Sequence, residues 1–132
     1  MRSLAVLIIV LALAGCTRPP QLATSIDIQK QSDDVVVVKV KVANLESHPT
    51  VPIALELTGQ AQINGRWEKS ATLLHPAAFV LNSKEDREIT KFWRVPATAV
   101  RTTLVIREQE RGNVVKTVKA EKVFASSPPT SR

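Results

Sequence analysis

From Asp34 to Leu45 the chain alternates with a period of two: Val36, Val38, Val40 and Val42 fall on one face, and Val35, Val37, Lys39 and Lys41 on the other. Successive side chains of an extended strand point to opposite sides, so this is the pattern of a half-buried β-strand, and the four even-numbered valines are expected to face a core. No helical pattern competes with it. The rest of the chain must therefore supply partners for a strand.

It does so in sequence. Upstream, from Ala23, Ile26 and Ile28 alternate with Asp27 and Gln29, and Gln31-Ser32-Asp33 reads as a turn. After a loop at residues 44–50 that holds Pro49, Val51, Ile53, Leu55 and Leu57 alternate with Glu56, Thr58 and Gln60. Asn64-Gly65 then stands between Gln62-Ile63 and Arg66-Trp67, and this dipeptide supplies the two positive φ angles of a type I′ hairpin. A return strand is expected from Trp67 to about Leu74, ended by His75-Pro76. Phe79 and Leu81 give a short strand, residues 82–86 a polar turn, and residues 87–95 a strand closed by Pro96. Val100, Thr102, Leu104 and Ile106 alternate with Arg101, Thr103 and Arg107, and Gly112-Asn113 turns the chain into a last strand over residues 114–124. Its alternation is less regular, as at a sheet edge or a bulge.

Seven or eight strands with these turn spacings predict an all-β, antiparallel two-sheet sandwich over residues 23–125, followed by a disordered tail at residues 126–132. The predicted domain resembles the immunoglobulin-like or transthyretin-like sandwiches of periplasmic proteins. Pro76-Ala77-Ala78-Phe79-Val80-Leu81, followed by Arg87-Glu88-Ile89, looks like a strand pair in the amino-terminal domain of pilus chaperones. No chaperone functional residue is carried over from that likeness.

Ahead of the domain, Arg2 precedes eleven almost purely aliphatic residues, Leu4 to Ala14, and the small residues Ala14 and Gly15 stand before the single cysteine, Cys16. A helix of that length reaches about 16 Å, roughly half the hydrocarbon thickness of a bilayer, so residues 1–15 read as a signal peptide and not as a membrane span. Leu13-Ala14-Gly15-Cys16 resembles the bacterial lipobox. The resemblance implies cleavage between Gly15 and Cys16, with diacylglycerol on the Cys16 thiol and, in Gram-negative bacteria, a further acyl chain on its amine. A lone cysteine cannot close an intramolecular disulfide, and acylation accounts for it. Two or three acyl chains hold a protein on a bilayer, whereas one is marginal. Thr17, in place of the aspartate that marks inner-membrane retention in this class, implies an outer-membrane site facing the periplasm. Residues 16–22 are then the acylated cysteine and a short, proline-stiffened tether.

Beyond Cys16, residues with a recognisable chemical role are sparse. His48 precedes Pro49 and His75 precedes Pro76, neither at metal-ligand spacing from other ligands. Asp33-Asp34 and Glu85-Asp86 fall in polar turns, where paired carboxylates are solvated. Ser70, Ser83 and Ser126 lack a nucleophile-elbow context. There is no Gly-rich phosphate loop, so the reading is a protein without cofactor, metal or catalytic site. The formal net charge of +6 gives one further handle. Lys39, Lys41, Arg101, Arg107, Lys116, Lys119 and Lys122 would form a basic surface if their faces were adjacent. Of Phe92 and Trp93, neighbours in one strand, one must point away from the core.

The expected function is a membrane-anchored, non-catalytic binding or assembly module of the cell envelope, an accessory of a secretion, conjugation or pilus apparatus with a protein partner there. Lipid or glycan binding in a cleft between the sheets is the alternative. Nucleic acid is not an expected partner, since the signal peptide directs the domain out of the cytoplasm.

Overall fold

The computed structural model describes residues 20–124. Gly15, Cys16 and the tail at residues 126–132 lie outside these. Among the described residues nine strands follow one another: β1 (Leu22–Ser32), β2 (Val35–Asn44), β3 (Ile53–Ile63), β4 (Arg66–Trp67), β5 (Ala71–Leu74), β6 (Ala78–Phe79), β7 (Asp86–Arg94), β8 (Ala99–Glu108) and β9 (Val114–Val123). There is no helix among the described residues.

A three-stranded sheet runs β1-β2-β7, and a second runs β4-β3-β8-β9, with β5 and β6 also paired to β3; every pairing is antiparallel. The chain thus leaves the first sheet after β2, builds β3 to β6, returns for β7 and crosses again for β8 and β9. This is the Greek-key arrangement of an immunoglobulin-like sandwich.

The valines of β2 do what their period requires. Val36, Val38, Val40 and Val42 have no exposed surface and meet Ile53, Leu55, Leu57, Val100, Leu104 and Ile106 in one core. Each such side chain, fully buried, contributes about 1.5–3 kcal/mol against an exposed reference. Register carries the pattern across the sheet: Ile26 and Ile28 on β1 stand beside Val40 and Val38, while Ile89 and Trp93 on β7 stand beside Val40 and Val36. Trp93 is therefore the inward aromatic. Its ring lies over Gly59 of β3, where an added Cβ would come within 2.9 Å of it. Phe92 points out.

The Asn-Gly hairpin forms as its chemistry dictates, with Asn64 at φ 53° and Gly65 at φ 78°. The return strand does not run unbroken to Leu74. Trp67 pairs with Gln62 and Ala71 with Gly59, so the return path carries one residue more than β3 offers over the same stretch. Lys69 and Ser70 fall in the gap between β4 and β5, and Gln60 Nε2 donates to Glu68 O at 3.1 Å beside it. The last strand is an edge strand, with its register shifted opposite the Ile106/Arg107 step. Val51 departs from its expected inward place. It precedes Pro52, β3 begins only at Ile53, and the side chain is half exposed.

The sandwich has two distinct ends. At the near end the chain enters at Pro20, and β2 and β8 finish while β3, β7 and β9 begin. The loops at 45–52, 80–85 and 109–113 meet there through Thr50 N to Leu81 O (2.8 Å), Leu45 N to Gln21 O (3.0 Å) and Gln109 N to Pro52 O (2.9 Å). Asn44, almost wholly buried, pins these loops: its Nδ2 reaches His48 O (2.8 Å), Asn82 O (3.0 Å) and Leu81 O (3.3 Å), and its Oδ1 accepts from Glu46 N (3.0 Å). At the far end lie the Asn64-Gly65 hairpin and the end of β9. Along one side the two sheets are joined by Lys116 Nζ donating to Leu22 O and Lys30 Nζ to Ala97 O, both at 2.9 Å. Along the other, the Arg87 guanidinium lies 4.4 Å from the centre of the Phe79 ring.

Candidate interaction surfaces

Alternation along a strand says which face a residue occupies, and the sheet pairing says what stands beside it. The outer face of the β1-β2-β7 sheet divides in two. Toward the near end Lys39 lies between Asp27 and Thr90, and Lys41 between Ser25 and Glu88. Lys41 Nζ also comes within 3.6 Å of Asp86 Oδ2. These lysines are set among carboxylates and make no positive field of their own.

Toward the far end the same face carries an apolar patch bordered by Gln29 and Arg94. Phe92 is the register partner of Val37, and Val35 lies two residues along on the same face. The Phe92 side chain is 68% exposed, and both valines are partly exposed. The ring and the two β-branched neighbours form a small apolar patch on a sheet face that is otherwise polar.

The seven cations expected to form one basic surface are not brought together. Lys39 and Lys41 lie on the outside of one sheet, while Arg101, Arg107 and Lys119 lie on the outside of the other. Lys116 and Lys122 pair with the inward-facing Ile106 and Val100, so they sit at the β9 edge with inward parity, and Lys116 spends its ammonium on Leu22 O. Sheet membership, which alternation does not report, separates them.

On the outside of the second sheet, Thr58, Gln60, Arg101, Thr103, Lys119 and Glu121 border an open depression of about 430 Å³. Arg101 is committed on two sides: its Nε donates to Gln60 Oε1 at 2.9 Å and its guanidinium lies 4.0 Å from the centre of the Trp67 ring. The concavity has a mixed polar and apolar lining and lies outside the core, not between the sheets.

His48 stands in the 45–52 loop with Nε2 3.7 Å from Glu46 Oε2, and His75 is exposed after β5. Among the described residues no three His, Cys, Asp or Glu side chains converge as metal ligands would.

No family model matches the chain, and no curated protein does. Solved structures share its fold. A domain of the outer membrane lipoprotein Omp28 from Porphyromonas gingivalis superposes with a TM-score of 0.59 at 11% identity, covering 82% of this chain and 92% of that one. The CARDB domain of PF1109 from Pyrococcus furiosus does so at 0.53 and 16%, covering 81% and 96%. A similar sandwich occurs within Bacteroides uniformis beta-glucuronidase 2, at 0.52 and 11%, where it amounts to 13% of that chain. At these identities the likeness is one of fold: an antiparallel, immunoglobulin-like β-sandwich, found in an outer membrane lipoprotein among other settings.

Proposed function

We propose that the protein is a lipid-anchored module of the cell envelope that acts by binding and assembly, without catalysis, as an accessory of a secretion, conjugation or pilus apparatus. Acyl chains on Cys16 would confine the sandwich to the periplasmic surface of the outer membrane. Confinement raises the effective concentration of the domain toward an integral partner without adding a contact. The lipobox supports the anchor, and the shared fold with an outer membrane lipoprotein domain is compatible with it. The observation that carries the binding role is the exposed Phe92 ring with Val35 and Val37 on the outer face of the β1-β2-β7 sheet.

In-cell photocrosslinking tests this. A photoreactive residue at position 37, the register partner of Phe92 on the same face, is expected to capture an envelope protein, while one at position 58, on the opposite sheet, captures little. Phe92→Asp should abolish capture with membrane fractionation unchanged. Capture of equal strength from both faces, or capture that survives Phe92→Asp, would refute the docking face. A Cys16→Ser protein that still fractionates with membranes would refute the anchor.

The depression beside Arg101 favours a second reading, glycan binding, because its lining is rich in hydroxyl, amide and charged groups. The Trp67 face that would stack on a sugar is covered by the Arg101 guanidinium, so a glycan would first have to displace it. A Trp67 fluorescence change on titration with envelope glycan would favour this reading over protein docking.

A further inference from the structure

Six large hydrophobic side chains stand exposed among the described residues, and four of them, Leu45, Val51, Val80 and Val114, gather at the near end. They come from four separate places in the chain: the residue after β2, the residue before Pro52, the residue after β6 and the first residue of β9. What unites them is the end at which the chain enters, since Leu45 N is bonded to Gln21 O and the Val51 and Val80 segments are tied to each other through Thr50 and Leu81.

The chain between Cys16 and Pro20 limits what this end can reach. Four residue steps span at most about 14 Å, whereas β1, with eleven residues, carries the far end about 36 Å away. A bilayer holding Cys16 can therefore meet the near end or a flank of the sandwich but not its far end. The flanks are poor candidates: Lys39, Lys41, Asp27 and Glu88 crowd the adjoining half of one outer face, and Arg107, Arg101 and Lys119 lie along the other.

From this we infer that the near end is a membrane-seating surface, with Leu45, Val51, Val80 and Val114 entering the headgroup region of the bilayer in which Cys16 is anchored. The inference rests on the lipid-anchor reading and adds an orientation to it. Charge on this end is mixed, with Lys84, Arg87, Arg111 and Lys116 set against Glu46, Glu85, Asp86, Glu108 and Glu110 in number. Several of these charges are already engaged: Lys84 Nζ donates to Leu45 O at 2.6 Å, and Arg87 lies 3.6 Å from Glu85. Seating would therefore depend on shallow apolar contact and would be nearly indifferent to anionic lipid content and to salt.

Site-directed fluorescence on the full-length mature lipoprotein tests this. An environment-sensitive dye would be placed on single cysteines introduced by Leu45→Cys, Val51→Cys, Val80→Cys and Val114→Cys, with Asn64→Cys at the far end and Thr90→Cys on a flank as references. The proteins are reconstituted in phosphatidylethanolamine–phosphatidylglycerol vesicles carrying a shallow spin-labelled lipid. Blue-shifted emission and several-fold stronger quenching at the four positions than at the two references, persisting at high salt, is the expected result. If the vesicles float with protein but all six positions report water, or position 90 is quenched most, the seating surface is overturned while the anchor stands. If wild-type protein fails to float and its Cys16 thiol takes the dye, the anchor reading itself fails.

Discussion

Asn44 is the residue on which the geometry of the near end depends, and its substitution gives the sharpest test of the structure. Asn44→Ala removes the donor to His48 O, Leu81 O and Asn82 O and the acceptor for Glu46 N; Leu81 O keeps its bond from Thr50 N and Asn82 O its bond from Glu85 N, so His48 O is the carbonyl that loses most. A neutral hydrogen bond contributes about 0.5–1.5 kcal/mol net, and a part-buried group left unpaired adds to the loss, so the variant should be less stable by roughly 2–4 kcal/mol. For a domain of this size that lowers the melting temperature by roughly 10–20 °C. Asn44→Asp has almost the same shape but sets a carboxylate oxygen against three carbonyl oxygens in a site with 1% exposure. An uncompensated buried charge costs about 3–5 kcal/mol, so Asp must be worse than Ala although it is the closer isostere. Guanidinium unfolding followed by Trp93 fluorescence, with both variants in a Cys16→Ser background so that lipid is no variable, measures the order. If Asp is tolerated as well as Ala, or if Ala shifts the midpoint no more than an ordinary surface substitution, Asn44 does not hold the loops as described.

Three further substitutions probe the fold. Gly59→Ala drives a methyl into the Trp93 ring at 2.9 Å and Leu73 Cδ1 at 3.0 Å; overpacking of this kind costs about 1–3 kcal/mol, and the Trp93 emission should shift with the lowered midpoint. Lys116→Met keeps the aliphatic stem but removes the ammonium from Leu22 O, which should lower stability by about 1 kcal/mol and raise hydrogen exchange at the start of β1 and β9 ahead of the rest. Gly65→Ala, at φ 78° with open space around its Cβ, should cost about 1 kcal/mol through backbone strain alone, and a calorimetric change much larger than that would mean the hairpin tip has contacts of its own.

The core is legible in the sequence because burial in β2, β3 and β8 follows a two-residue period that local sequence records directly: the four valines of β2, Leu55 and Leu57, and Leu104 and Ile106 all face inward. The hairpin at Asn64 is legible for a different reason, since positive φ at two successive positions restricts residue type. Phe92 and Trp93 are legible as a pair but not individually, because parity within β7 becomes burial only once Val36 is known to stand beside Trp93. The separation of the cations is not legible at all. Each cation's face follows from alternation, but the sheet to which its strand belongs depends on a Greek-key crossing that no short stretch encodes. Asn44 reads locally as the start of a loop, whereas it is the last paired residue of β2, and its acceptors at Leu81 and Asn82, 37 and 38 residues away, cannot be read from its neighbourhood.

The two exposed apolar features occupy opposite ends of the sandwich, and this separates the tasks proposed for them. Val37, the register partner of Phe92, precedes Asn44 by seven residues on β2, which at about 3.3 Å per residue places the Phe92 ring roughly 23 Å along the strand from the near end. With that end seated on the bilayer, the ring stands well clear of the headgroups. A partner reaching it must do so with a soluble segment, not with its membrane-spanning part. The two surfaces should also be independently mutable, because residues that far apart and without shared neighbours act additively. Val51→Ser should loosen seating and leave capture at position 37 intact, Phe92→Asp should do the reverse, and only an Asn44 variant, which disturbs the loops while leaving the β2-β7 register in place, should affect seating in proportion to its loss of stability.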